Sequence, residues 1–209
     1  MSKNLILSNI KEALSHREEF LDKGNFRDII KREQDDILQE YIRLQKSNMA
    51  DVIISSKEKL FEDMQKLLLQ IKPQKVLYAN DLPCDMNKFD GFEKMPYCNT
   101  IETNREKMFD VDVSIVNARC GIANLGIMGL VSSVDSPRLT SLIAPHCIML
   151  LDSTKIVWNL FEGIKFLKSL NTDLATNLLF IAGPSRTADI ELKTVFGVHG
   201  PQKVSVILY

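Results

Sequence analysis

The chain has 209 residues, 45% of them hydrophobic and 25% charged, with a formal net charge of −1. That is room for one ordinary domain, with or without a helical appendage, and it excludes a charge-extended disordered chain and a polyanion binder. No apolar stretch approaches the roughly 20 residues that a transmembrane helix needs.

Residues 1–47 carry nine basic and nine acidic residues. Their apolar residues recur at helical spacing: Leu7, Ile10 and Leu14, then Phe26, Ile30, Ile37, Tyr41 and Leu44. Gly24-Asn25 separates the two series as a helix stop and an N-cap. The pattern predicts an αα-hairpin that docks on the main domain, on a second copy or on another protein. Its mixed charge argues against nucleic acid, which selects one sign along one face. The opening MSKNLILSNIKEALSHREEF has too short an apolar run and too many early acids for a secretory signal, so a cytoplasmic location is expected. A chain starting near Asn48 is expected to fold without the hairpin.

Residues 48–209 alternate strands and helices. Asp51–Ser55 is a β-branched strand, and Lys59–Lys72 an amphipathic helix stopped by Pro73. Lys75–Ala79 is a strand, residues 80–105 are loop-like, and Val111–Ala118 is a strand. Ile127–Val134 and Cys147–Leu151 are apolar strands separated by a short helix at Arg138–Ile143. Ser153–Leu170 is predicted as one helix capped by Asp152 or Ser153. Leu178–Ala182 reads as a strand buried on both faces. Thr187–Phe196 is predicted helical, and Lys203–Tyr209 is the last strand. Such alternation implies an α/β domain with a mostly parallel sheet flanked by helices. Between Ser114 and Leu151 the only formal charges are Arg119, Asp135 and Arg138, so this region should form the centre of the core.

The segment LLFIA-GPSR-TADIE is the first candidate site. If a buried parallel strand ends at Gly183-Pro184, a ligand beyond its carboxyl end meets the free N–H groups of the next helix. Gly183 admits close approach, and Ser185 or Thr187 caps the helix or binds an anion. Arg186 presents a planar fork to a carboxylate or phosphate. Asp189 is the acid/base candidate; capping and dipole compensation are the simpler roles for Asp189 and Glu191. In GVHGP, His199 stands between glycines and is a further catalytic candidate. A helix over Thr187–Phe196 would be roughly 15 Å long. It would hold GVHGP away from GPSR unless a subunit interface joins them. In CGIANLGIMGL, Asn124 and Gly126 sit where a backbone can approach a ligand, although core packing is the simpler reading. The glycine spacing is not that of a dinucleotide site. Cys84, Cys98, Cys120 and Cys147 make no CxxC, and the three histidines lack ligand spacing, so no metal is expected.

GPSRTADIELKTVFGVHGPQKVSVILY resembles the carboxyl-terminal signature of the LutC/YkgG family, lactate-utilisation protein C, also called the LUD domain. IANLG and SPRLTSLIAPHCIMLLDSTKIV resemble the same family, and the amino-terminal hairpin is similar to its helical lead-in. The family reads A-E-T-G where this chain has Ala123-Asn124-Leu125-Gly126, so Asn124 replaces an acid. The resemblance implies a fold like the NagB/RpiA/CoA-transferase group. It also implies a role in bacterial oxidation of L-lactate to pyruvate beside two partner proteins that carry iron–sulfur clusters, with no cofactor in this chain. Three functions then fit the sequence. The chain is a non-cluster subunit of that complex with a carboxylate site at GPSR-TADIE, or a free-standing enzyme acting on a phosphorylated or nucleotide ligand on an isomerase-like or cyclo-ligase-like scaffold, or a ligand-free assembly factor. A homo-oligomer fits any of them.

Overall fold

The structure, a computed structural model, describes residues 3–15, 32–97, 106–170, 177–188 and 193–209. Its helices are α1 (Lys3–Ser15), α2 (Ile37–Ser47), α3 (Leu60–Ile71) and α4 (Leu160–Ser169). Its strands are β1 (Asp51–Ile54), β2 (Lys75–Tyr78), β3 (Glu93–Pro96), β4 (Val113–Ala118), β5 (Cys120–Ile122), β6 (Ile127–Val131), β7 (His146–Leu151), β8 (Ile156–Val157), β9 (Leu178–Ile181), β10 (Arg186–Thr187), β11 (Val195–Phe196) and β12 (Lys203–Leu208).

Six strands form one sheet in the order β1-β12-β7-β4-β2-β3, and every pairing in it is parallel. Alternation along β7 divides the core in two. Cys147, Met149 and Leu151 join Tyr41 and Ile42 of α2 and Met128 and Leu130 of β6. Ile148 and Leu150 join Leu60, Met64 and Leu68 of α3 on the opposite face. The charge-poor run is therefore central because both faces of β7 are covered.

A second sheet, β8-β5-β6-β9, lies on the α2 side. Its β5–β6 hairpin turns through Ala123–Leu125 and Gly126. Helix α4 covers its outer face, with Leu167 against Cys120 and Val131. The layers run α3, parallel sheet, second sheet with α2, and α4. This is the expected α/β architecture, a mostly parallel sheet flanked by helices.

Several local expectations are corrected. Ser153–Leu170 is not one helix. Asp152 caps a short turn, Ser153–Lys155, and the β-branched pair Ile156-Val157 forms β8. Helix α4 then starts after Asn159, whose Oδ1 accepts from the Glu162 N–H, while Glu162 Oε2 accepts from the Trp158 N–H. The loop read at 80–105 contains the edge strand β3, where Pro96 is tolerated because an edge leaves one backbone side unpaired. Strand β9 is half-buried at the edge of the second sheet, antiparallel to β6, and not part of the parallel sheet. Thr187–Phe196 does not form a continuous helix, since its two ends pair as the antiparallel ribbon β10–β11. Among the described residues helix α2 starts after Asp36, whose side chain accepts from the Gln39 N–H. Gly24-Asn25 lies outside the described residues. Among the described residues no helix is long and apolar enough to cross a membrane.

Candidate functional site

Because all six strands of the large sheet run the same way, their carboxyl ends share one edge, where open α/β sheets place their ligands. Each of three neighbouring strands leads into a charged residue there. Strand β2 is followed by Asp81 two residues past Ala79, β4 directly by Arg119, and β7 directly by Asp152. Arg119 Nη2 donates to Asp81 Oδ2. Asn117 Nδ2 donates to the Asp81 carbonyl at 3.0 Å and pins that loop over the end of β4. Asp152 Oδ1 accepts from the N–H and Oγ1 of Thr154 at 3.0 and 2.6 Å. Its Oδ2 faces Lys57 and Lys155 at 3.8 and 3.9 Å.

The two acids differ in environment. Burial pushes the Asp152 carboxyl up, but the Thr154 hydrogen bonds and the two ammonium groups outweigh it and hold the group below its ordinary range. For Asp81 burial prevails over Arg119, with Asp135 adding repulsion, and the carboxyl is raised. Burial also keeps the Tyr209 phenol raised and pushes the Cys84 thiol up to about 11.

Between this edge and α4 opens a cleft of about 260 Å³ lined by Arg119, Val131, Ser133, Lys155, Phe166 and Leu170. One wall carries a guanidinium, an ammonium and a hydroxyl; the other is apolar. The arrangement suits a small anion: donors converge from the turns after β4, β6 and β7, and α4 supplies an apolar back.

The residues singled out in the sequence lie elsewhere. Gly183, Ser185, Arg186 and Thr187 sit at the amino-terminal edge of the parallel sheet, opposite the cleft. The Ser185 N–H donates to the Pro201 carbonyl, and the Gln202 N–H donates to Pro145, just before β7. The Gly197 N–H donates to the Ser185 carbonyl. Thus GPSR and GVHGP are neighbours after all, because the ribbon folds back where a helix was expected. A β-carbon on Gly200 would stand 3.2 Å from Ser185 Cβ. Arg186 and His199 are exposed. Asp189 lies outside the described residues. Asn124 and Gly126 are buried beneath the end of α2, and the Asn124 N–H donates to Trp158. Asp81, Arg119, Asp152 and Lys155, which line this edge, are not among the residues that the sequence motifs single out. Their signal is in the sequence: an acid or arginine closely follows each of the three strands β2, β4 and β7.

Among the described residues no three His, Cys, Asp or Glu side chains group to hold a metal ion. Cys120 and Cys147 are buried, their thiols pushed up by burial to about 11 and about 12.

The fold is an α/β domain in which a cleft with cationic and hydroxyl side chains on one wall opens beyond the ends of the parallel strands. The chain belongs to the LUD domain family, whose family model matches residues 6–209. It is 29% identical over 163 residues to an uncharacterized protein of Neisseria meningitidis serogroup B, covering 78% of this chain and 67% of the other. It is 24% identical over 191 residues to a lactate utilization protein C of an Exiguobacterium species, covering 87% and 81%. A crystal structure of a DUF162 family protein from Deinococcus radiodurans superposes with a TM-score of 0.62 at 18% identity, covering 82% of this chain and 95% of that one. This last likeness is one of fold.

Proposed function

We propose that this chain is a lactate-utilization component, working in the cytoplasm as the non-cluster subunit beside two iron–sulfur partner proteins, and that it holds a small carboxylate such as L-lactate or pyruvate. The observation that carries the ligand class is the convergence of Arg119 and Lys155 on one cleft at the carboxyl edge. The kinship with lactate utilization protein C supports the role. The partners would carry the redox centres, and this chain would bind and orient the ligand. Arg119 would meet the carboxylate with its planar fork, Lys155 would add a second charge, and Ser133 would supply a hydroxyl. Phe166 and Leu170 would keep water from one side.

Calorimetric titration of the full chain with L-lactate and pyruvate tests this. Arg119→Gln is expected to weaken binding by about 1.5–3 kcal/mol, as for a hydrogen bond to a charged group. Lys155→Ala is expected to weaken it less, its ammonium being about half exposed and already shared with Asp152. Arg186→Ala should change neither stability nor binding, because that side chain is exposed at the far edge. A loss of affinity with Arg186→Ala and none with Arg119→Gln would return the ligand site to GPSR. Turnover of a substrate by the isolated chain would replace the subunit role with that of a free-standing enzyme.

A further inference from the structure

The cleft's cations are already answered by acids. Arg119 is paired with Asp81, and Lys155 shares Asp152 with Lys57. With Asp135 facing Asp81 from the loop after β6, three acidic side chains match three basic ones, and the Tyr209 phenol and Cys84 thiol at the same edge are neutral. An added anion therefore brings a negative charge that no cationic side chain there is free to answer. Two carboxylates around one guanidinium cannot both stay ionised cheaply in a partly buried site.

The acids differ in how firmly each is held as an anion. Asp152 has two hydrogen bonds from Thr154 and two ammonium groups. Among the described residues Asp81 has Arg119 alone as ion-pair partner, its side chain is 16% exposed, and its Oδ1 is shut from solvent with no hydrogen-bond partner. A protonated Asp81 remains compatible with the Asn117 contact, which uses the backbone carbonyl and not the carboxyl.

We propose that a small anion binding against Arg119 is taken up together with one proton, which Asp81 accepts from solvent; this rests on the carboxylate-site reading above. Asp81 is then a positioning residue. It holds the guanidinium in place while the site is empty and gives up its charge when a ligand arrives, so affinity rises as pH falls.

The full chain is titrated with L-lactate, acetate and sulfate by calorimetry at a series of pH values from acidic to neutral, in paired buffers of different ionisation heat. The expected result is an uptake approaching one proton per anion and a Kd that rises by up to about tenfold per pH unit. Asp81→Asn, neutral at every pH, is expected to bind without proton uptake and with a flat pH profile. Carboxyl ¹³C NMR of the unaltered chain reads the same proton directly, as a change at Asp81 when a probe is added at fixed pH, and decides the matter if the variant fails to fold. Binding with no buffer-dependent heat, or an Asp81→Asn chain with the original pH slope, overturns the proposal. Uptake with acetate or sulfate in a chain that does not bind L-lactate keeps this proposal and overturns the lactate reading. Absence of binding by all three probes overturns both.

Discussion

A chain that begins at Asn48 is expected to lose its cooperative unfolding transition. Helix α2 contributes no strand, yet it fills the space between the two sheets. Tyr41 is fully buried and Ile42 is 6% exposed, both in the cluster with Met149, Leu151 and Val206. A β-carbon on Gly121 would stand 2.8 Å from the Tyr41 ring, so β5 is shaped to receive that ring. The phenol accepts from Gln45 Nε2 at 2.8 Å inside the core. Removing a buried aromatic ring alone costs about 3–5 kcal/mol, against a total stability of about 5–15 kcal/mol for a domain. Deleting all of α2 removes the ring, Ile42 and the cover of the β5–β6 turn together. Thermal unfolding followed by circular dichroism checks this, with Tyr41→Ala as the graded version, expected to lower stability by about 3–5 kcal/mol. A sharp transition in the truncated chain would restore the boundary read from the sequence at residue 47.

That expectation reverses the one drawn from sequence, and the reason is physical. The stripe Ile37, Tyr41, Leu44 gives the same helical period whether the helix sits on a surface or between two layers. Period reports that a face is covered, not by what. The same limit explains LLFIA. Its five apolar residues fit a strand in the middle of a parallel sheet, but β9 is an edge strand of the second layer and only half-buried. From that one misplacement followed the assignment of GPSR to a carboxyl edge.

What local chemistry decides was legible. Apolar runs gave β4, β6, β7 and β12 within a few residues, and Pro73 marked the end of α3. The cleft was half-legible. Arg119 is one of three charges in a long charge-poor stretch and follows a strand directly, which is where a ligand-facing cation belongs in such a sheet. Its pairing with Asp81 joins positions 38 residues apart through the sheet order β7-β4-β2, which no spacing rule contains.

Gly183→Ala and Gly126→Ala are each expected to cost about 3–5 kcal/mol, far more than a surface substitution. The open backbone that sequence assigned to a ligand at these glycines is occupied by the chain's own helix. Gly183 has φ +70°, and a β-carbon there would lie 2.1 Å from the carbonyl oxygen of Asn48. Gly126 has φ +58°, and its β-carbon would lie 2.4 Å from the Leu44 carbonyl carbon and 2.6 Å from the Gln45 nitrogen. The carboxyl end of α2 is thus gripped from two sides, by the β5–β6 turn and by the segment after β9. Asn48 Nδ2 completes the grip by donating to the carbonyls of Leu125 and Gly126 at 2.9 and 2.8 Å. The obstacles are backbone atoms, which cannot rotate aside as a side chain does. Gly91 separates the two components of the cost, since it has φ +97° but nothing within 4 Å of an added β-carbon. Gly91→Ala should therefore carry only the left-handed backbone penalty of about 1–2 kcal/mol. Urea denaturation of the three variants, with unchanged m-values as the check on two-state behaviour, measures the difference. If Gly183→Ala costs no more than Gly91→Ala, the Asn48 carbonyl yields to the new side chain and α2 is not clamped there. If it costs several kcal/mol more, close approach to α2 is what requires glycine at position 183.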